Sequence, residues 1–503
     1  MPLNGKSNLR KLSSDSRRQF LLSGMSLVGA SAVGALLPDL ARSQTVAFDY
    51  YVSPTGSDSN PGTQNQPWAL TSLILGNPNR AKVAGKIVGF LPGTYLTGGM
   101  VGTDYQRPLL DIPSGTASAP TVYRSVVPQG AMFDDSGATH AASIFGQATV
   151  GGGYFTLDGL VFTNGKSAYV CMYSNGTPST VAGVTIKNCE FKNLVNSSST
   201  VGSNIAFVQV FGLSGFTFTN NKLHDISYPV DPQHCSCLEL WGVAGAVISN
   251  NTFYNAPQAI DAKRDTNYGT PDFNIEVKNN YFWGITSTFL RGFDGYPSTN
   301  PSQYAPYSVH NNVFDSGTNH TGIFYGEFNA AASTIGTSFF NNTFAYTGTS
   351  SIVCLILEMN TAAVYNKQFN VYNNIVYLPN TSSYGYTGAI GSRLGQWLVW
   401  DYNDYYFGTY ANAFGLAHGG SLYNFSGWQA LPGAPDAHSI TSDPRFLGSG
   451  GSAEAFKLAA GSPCISTGLG GVDMGAWGGT TPPAIIGCTF ASSQPLAPVI
   501  HVS

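Results

Sequence analysis

Between residues 157 and 406 the chain repeats one short arrangement of apolar and polar positions nine times. Each copy runs apolar residue, spacer, Asn (usually Asn-Asn), spacer, apolar residue. The anchors are Gly159, Asn188, Asn220, Asn250, Asn279, Asn311, Asn341, Asn373 and Asn403, separated by 29, 32, 30, 29, 32, 30, 32 and 30 residues. Two positions before the anchor stand Leu157, Ile186, Phe218, Ile248, Val277, Val309, Phe339 and Val371, and Asp401 breaks the column. Three positions after it stand Phe162, Phe191, Leu223, Phe253, Phe282, Phe314, Phe344, Val376 and Tyr406. A fixed period of this size implies a solenoid, whose units bury their apolar faces by stacking on each other.

The content of the unit selects the solenoid. A helical repeat needs apolar residues at i, i+3, i+4 and i+7 over ten or more positions. Here the apolar runs are short, β-branched or aromatic, and bounded by Gly, Asn, Ser and Thr, which predicts strands and turns. Gly183-Val184-Thr185-Ile186-Lys187 and Ile275-Glu276-Val277-Lys278 alternate with period two, as strands with one inner face do. Asn tolerates left-handed backbone at a turn, and Gly159 meets the same demand without a Cβ. Asn side chains stacked one per coil can also form a hydrogen-bonded ladder. The expected fold is therefore all-β, a right-handed parallel β-helix. Nine coils at roughly 4.8 Å would make a rod on the order of 40 Å long.

Ahead of the repeats, Ser16-Arg17-Arg18-Gln19-Phe20-Leu21-Leu22 forms a twin-arginine pattern, followed by weakly apolar sequence to Leu37. Ala41-Arg42-Ser43 offers small residues for cleavage, so residues 1–43 read as a signal peptide. Export by the twin-arginine route to the periplasm or beyond is expected. No later segment reaches the ~18 uninterrupted apolar residues of a membrane span. Loss of residues 1–43 changes 23 basic and 27 acidic residues to 17 and 25, moving the net charge from −4 to −8. A nucleic-acid partner would call for a basic face instead. Charged residues are 10% of the chain and aromatics 13%, a surface chemistry suited to carbohydrate. Of the seven Cys, Cys464 and Cys488 are candidates for one bridge, with free buried thiols in the coils as the alternative; their spacing fits no zinc site.

Residues 44–150 contain Tyr50-Tyr51-Val52-Ser53-Pro54-Thr55-Gly56, Gly85-Lys86-Ile87-Val88-Gly89-Phe90-Leu91-Pro92-Gly93-Thr94-Tyr95 and Ala119-Pro120-Thr121-Val122-Tyr123-Arg124. These resemble the opening and first coils of secreted β-helix polysaccharide-degrading proteins. The regular coils then span 151–410. Residues 411–503, with Ser442-Asp443-Pro444-Arg445-Phe446 and Asp473-Met474-Gly475-Ala476-Trp477, resemble the tail of bacterial β-helix proteins. A cap is expected at each end, because an uncovered coil exposes core and unpaired strand edge. Asp443 and Asp473 are expected to serve turns, and the chain is expected to be a monomer.

With charges this sparse, their clustering matters. One segment per coil holds Glu239, then Asp261, Lys263 and Arg264, then Arg291 and Asp294, then Tyr325 and Glu327, then Glu358, then Arg393. Alternation places Asp261 and Lys263 on one strand face, with Ile260 and Ala262 on the other. Lys263 and Arg291, 28 residues apart, are expected on adjacent coils about 5 Å from one another. Ile260-Asp261-Ala262-Lys263 followed by Phe289-Leu290-Arg291-Gly292 resembles the Lys-then-Arg pair of the polysaccharide lyase family of chondroitinase B and alginate lyases. That resemblance implies Lys263 as base and Arg291 as its partner, and it implies Ca2+. The family's acidic calcium ligands precede the Lys where this chain has Ala256, Pro257 and Gln258, which leaves Glu239 as the nearby candidate. Trp241, Asp261, Arg264, Tyr325, Glu327, Glu358 and Arg393 are the expected substrate-binding residues.

The chemistry would be β-elimination on a uronic acid: a base takes the proton α to the carboxylate while cationic groups neutralise the enolate-like charge. Like charge from Arg264 and Arg291 favours the neutral amine a Lys base needs. Guanidinium stays charged and suits a carboxylate clamp, leaving Tyr325 or a His as proton donor. Two alternatives stand beside the lyase. One is a glycoside hydrolase using two of Asp261, Asp294, Glu327 and Glu358. The other is a non-catalytic carbohydrate-binding or adhesin rod.

Overall fold

The computed structural model describes residues 47–100, 108–138, 143–147, 152–166, 168–172, 181–195, 204–228, 234–263, 274–292, 307–318, 322–328, 337–349, 355–359, 369–380, 390–392, 397–408, 414–416 and 421–478. The unit that begins at Phe48 is a parallel β-helix. One sheet has 12 strands and a second has 21, and consecutive neighbours come from successive coils. Every strand pair is parallel except Phe414–Leu416 with Leu422–Tyr423. Tyr50–Val52, Ile87–Phe90 and Thr121–Ser125 are the first three strands of the 12-stranded sheet, so stacking starts well upstream of the regular repeats.

The two apolar columns of the repeat are the two walls of the core. Leu157, Ile186, Phe218, Ile248, Val277, Val309, Phe339 and Val371 are register partners in the first sheet, all buried. In the second, Phe253, Phe282, Phe314 and Phe344 stack with ring centroids 4.9, 4.8 and 5.0 Å apart, each pair 8° from parallel. That spacing equals the rung height, so every ring covers the next at van der Waals distance.

The two residues of each Asn-Asn pair do different work. The first adopts the left-handed backbone that turns the chain between sheets, with φ of 56° at Asn188, 57° at Asn250 and 58° at Asn373; Gly159 follows at 69°. The second points inward and forms the ladder. Asn251 donates through Nδ2 to Phe218 O and to Asn280 Oδ1, both at 3.0 Å. Its Oδ1 accepts from the Asn221 N–H at 2.8 Å. Asn280, Asn312, Asn342, Asn374 and Asn403 continue this pattern.

The last copy corrects the sequence alignment by one position. Asn403 occupies the ladder, its Oδ1 accepting from the Asn374 N–H at 2.9 Å, and Tyr402 takes the left-handed turn at φ 56°. Buried Trp400 therefore fills the column that Asp401 seemed to break, and Tyr405 rather than Tyr406 faces Val376. The repeat was aligned on an Asn of the wrong role.

After the last coil, residues 440–478 run back along the outside of the rod. Asn373 Oδ1 accepts from the Leu469 N–H at 2.6 Å, Asn341 Nδ2 donates to Asp473 O at 2.9 Å, and Asn311 Nδ2 donates to Ala476 O at 3.1 Å. These Asn turns, buried beneath it, thus hold the returning tail. Asp443 and Asp473 accept the N–H groups of Arg445 and Ser466, a turn role for each.

Two buried carboxyls sit near this end. Asp436 accepts from Asn403, Tyr405, Trp428 and Ser439, yet burial outweighs these bonds and pushes its pKa up to about 7. Burial raises Asp404 to about 7 as well, against hydrogen bonds that include the Cys464 thiol at 3.0 Å. A carboxyl that holds its proton more tightly when folded contributes stability fully below its unfolded value of 3.8, and that contribution is lost as pH rises through about 7. Glu276 acts oppositely: the His310 hydrogen bond lowers it to about 2, so its contribution disappears only in strong acid. Thermal unfolding is therefore expected to shift to lower temperature between pH 4.5 and pH 8. Asp436→Asn, which keeps the shape without the charge, should flatten that slope in a calorimetric pH series.

Candidate functional site

The segment richest in charge lies on the strands Ile205–Phe211, Cys235–Trp241, Thr252–Lys263, Tyr281–Gly292 and Gly322–Phe328 of the second sheet. Leu238, Leu240, Ile260, Ala262 and Leu290 belong to the core cluster. Alternation sets the residues between them on the opposite face. Register lines these up as Gln209, Glu239, Asp261, Arg291 and Tyr325, one per coil. A parallel lane two residues further along pairs Phe211 with Trp241 and Trp241 with Lys263; two coils beyond, Glu327 pairs with Glu358.

Lys263 and Arg291 occupy adjacent coils, but stepped across the face rather than in direct register. Asp261 is the residue opposite Arg291. Ala256 pairs with Ile285, 29 residues on, whereas Gln258 pairs with Thr288, 30 residues on, so a bulge lengthens this coil. A spacing of 28 is then two short of the register. The diagonal between the two α-carbons is about 8 Å from rung height and rise per residue, in place of the expected 5 Å.

Glu239 and Asp261 are each 1% exposed. Asp261, expected to bind substrate, and Glu239, the calcium candidate, are thus placed to shape the face rather than cover it. Glu239 Oε2 accepts from Gln209 Nε2 at 2.8 Å, and that amide also donates to Asn204 O at 3.2 Å. Trp241 is half-buried, its ring stacked on Phe211 at 5.8 Å. The side chains of Lys263, Arg291, Tyr325, Glu327 and Glu358 lie outside those described, as do residues Arg264, Asp294 and Arg393 altogether. Gln209 was missed in the sequence, although a lone amide inside Ile205-Ala206-Phe207-Val208-Gln209-Val210-Phe211 is a legible signal.

Calcium binds about 6–8 oxygens. Among the described residues no three His, Cys, Asp or Glu side chains converge, and one oxygen of Glu239 already serves Gln209. The described donor set at Glu239 falls short of a calcium shell. Cys171, Cys189, Cys235, Cys237 and Cys464 are free and buried; Cys354 and Cys488 lie outside the described residues.

A second polar patch, not foreseen, lies on the outer face of the same sheet just before the turn. Glu190 meets His224 Nε2 at 3.0 Å, Lys192 at 3.2 Å and Lys222 at 3.4 Å, and His224 Nδ1 meets Asp225 at 2.7 Å. Burial opposes ionisation of Glu190, but hydrogen bonds from His224 and Lys192 and the lysine charges outweigh it and lower its pKa. The His224 ring stacks on Tyr254 at 4.4 Å, and Tyr254 stacks on Trp283 at 5.1 Å.

No family model matches the chain. No curated protein matches it either. Among solved structures it is similar to pectate lyase Pel9A, with a TM-score of 0.52 and 14% identity over 85% of this chain and 95% of that one. A rhamnogalacturonan lyase gives 0.44 at 16% identity over 66% and 83%. PfbA, a surface adhesin of Streptococcus pneumoniae, gives 0.44 at 14% identity over 65% and 78%. The likeness to the pectate lyase is a likeness of fold. Among the described residues no helix is long and apolar enough to cross a membrane.

Proposed function

We propose that this chain is an exported polysaccharide lyase that cleaves a uronic-acid-containing glycan by β-elimination. The reaction would take place on the strand face carrying Trp241, Lys263 and Arg291. The observation that carries the reading is the register of Asp261 with Arg291, with Lys263 one pleat further along the same face. A guanidinium beside a carboxylate is fixed in place, and a fixed guanidinium can clamp a substrate carboxylate through two parallel hydrogen bonds. Lys263, as the free amine, takes the proton α to that carboxylate. The electron pair moves into an enolate-like carboxylate held by Arg291. It then expels the glycosidic oxygen from the β carbon, with Tyr325 supplying the leaving group's proton, to give an unsaturated uronate. Asp261 acts here as a positioning residue.

One observation favours a hydrolase instead: Glu239 and Asp261 are register partners, their α-carbons about 5 Å apart, a spacing like that of the carboxyl pair in retaining enzymes. Their burial argues against it, since neither can flank a glycosidic bond. Incubating the mature protein with alginate, pectate and glycosaminoglycans separates the readings. A lyase generates ultraviolet absorbance from the new double bond, and a parallel run in chelator reads its metal dependence. Reducing ends without that absorbance identify a hydrolase, and binding without products identifies an adhesin.

A further inference from the structure

The stack His224, Tyr254 and Trp283 places one ring on each of three successive coils, and the next coil puts Asp315 at that register position. A carboxylate is too short to cover an indole. Trp283 accordingly remains 37% exposed, and a groove of about 750 Å³ opens against it. Its floor is the turn between strand segments, where Gly284 and Gly317 adopt φ of 60° and 55°. Across the mouth passes the returning tail at Gly450 and Gly451. A Cβ on Gly450 would come within 3.1 Å of Asp315 Oδ2, so the missing side chain is what lets the tail lie so close.

The charge of the groove is specific. Among its described lining residues there is no Lys, Arg or His. Its carboxylate, Asp315, is already committed: Oδ2 accepts from Tyr281 Oη and from the Gly451 N–H, both at 3.0 Å, and Oδ1 accepts from the Gly317 N–H at 3.1 Å. What remains for a ligand is the Trp283 face with the exposed hydroxyls of Ser227, Thr286 and Thr318 around it. An aromatic face carries partial negative charge and attracts the C–H groups of a sugar ring, while hydroxyl donors and acceptors match equatorial hydroxyls. A uronate would bring its charge beside Asp315 with no cation to meet it.

We propose that this groove is a glycan-binding site for an uncharged pyranose, the sugar ring taking the place in the aromatic stack that Asp315 leaves open beside Trp283. The site is independent of the elimination chemistry proposed above. Its occupant is a neutral unit, either within a mixed polymer or in a separate neutral glycan. The test is calorimetric titration, with tryptophan fluorescence, of the mature protein against cellohexaose, xylohexaose, mannohexaose and hexagalacturonate. At least one neutral oligomer should bind, and any hexagalacturonate binding should be the same in Trp283→Ala as in the parent protein. Trp283→Ala should weaken binding of the neutral oligomer about tenfold or more, and Trp283→Phe should restore part of it. Circular dichroism and melting establish that the variants are folded. Lys263→Ala should bind the neutral oligomer like the parent protein, which keeps this site distinguishable from the lyase reading. The proposal is overturned if no neutral oligomer binds, if folded Trp283→Ala weakens hexagalacturonate binding as much as that of the neutral oligomer, or if it keeps the parent affinity for the neutral oligomer.

Discussion

Lys263→Ala is expected to lower turnover of a uronate polymer by about 10²–10⁴-fold, the usual contribution of a positioned general base. Melting temperature should stay close to that of the parent, because Lys263 is the last residue of its strand. Arg291→Lys retains a positive charge but loses the two-pronged clamp, so it should raise KM as well as lower kcat. Asp261→Asn should lower kcat through Arg291 alone. Its signature is non-additivity: the double variant with Arg291→Lys should be scarcely worse than Arg291→Lys by itself. A Lys263→Ala protein with parental kcat on the best polymer would remove the base assignment, and additive Asp261 and Arg291 effects would remove the positioning role.

The architecture was readable in the sequence because a solenoid writes the same constraint once per coil. Each inner residue meets its own counterpart about 4.8 Å above and below, so Phe253, Phe282, Phe314 and Phe344 repeat as a column long before any contact is known. The Asn turn was readable for the same reason. Two things were not. Exact register depends on bulges: the offset of 29 at Ala256–Ile285 becomes 30 at Gln258–Thr288 through one extra residue between Ile285 and Thr288, so Arg291 meets Asp261, and the visible period does not reveal it. Burial of an outer face depends on what else lies against it, which no strand pattern encodes; Glu239 and Asp261 look like groove residues and are not exposed. Trp283 was illegible for a related reason. Its neighbours along the chain are ordinary strand residues, and the open rung beside it appears only when Asp315, 32 positions later, is set in register.

Adjacent Asn residues in one turn should respond to alanine in opposite degree, with the larger loss at Asn251. Asn250 is exposed and holds φ at 57°, so Asn250→Ala should cost about 1 kcal/mol for left-handed backbone, and Asn250→Gly close to nothing. Asn251 is buried and joins three coils. Its removal strands the Asn221 N–H, the Phe218 carbonyl and one acceptor site of Asn280 Oδ1. Each such buried group left unbonded costs about 1–3 kcal/mol, which puts Asn251→Ala on the order of 4 kcal/mol or more. Asn251→Asp should do no better, since an ionised carboxylate cannot donate to Phe218 O and would bury a charge. A solenoid unfolds in sections, so the measurement is local: hydrogen exchange of the coils on either side of residue 251 alongside the urea midpoint. Equal losses for Asn250→Ala and Asn251→Ala would mean that the inner ladder carries no more stability than the turn.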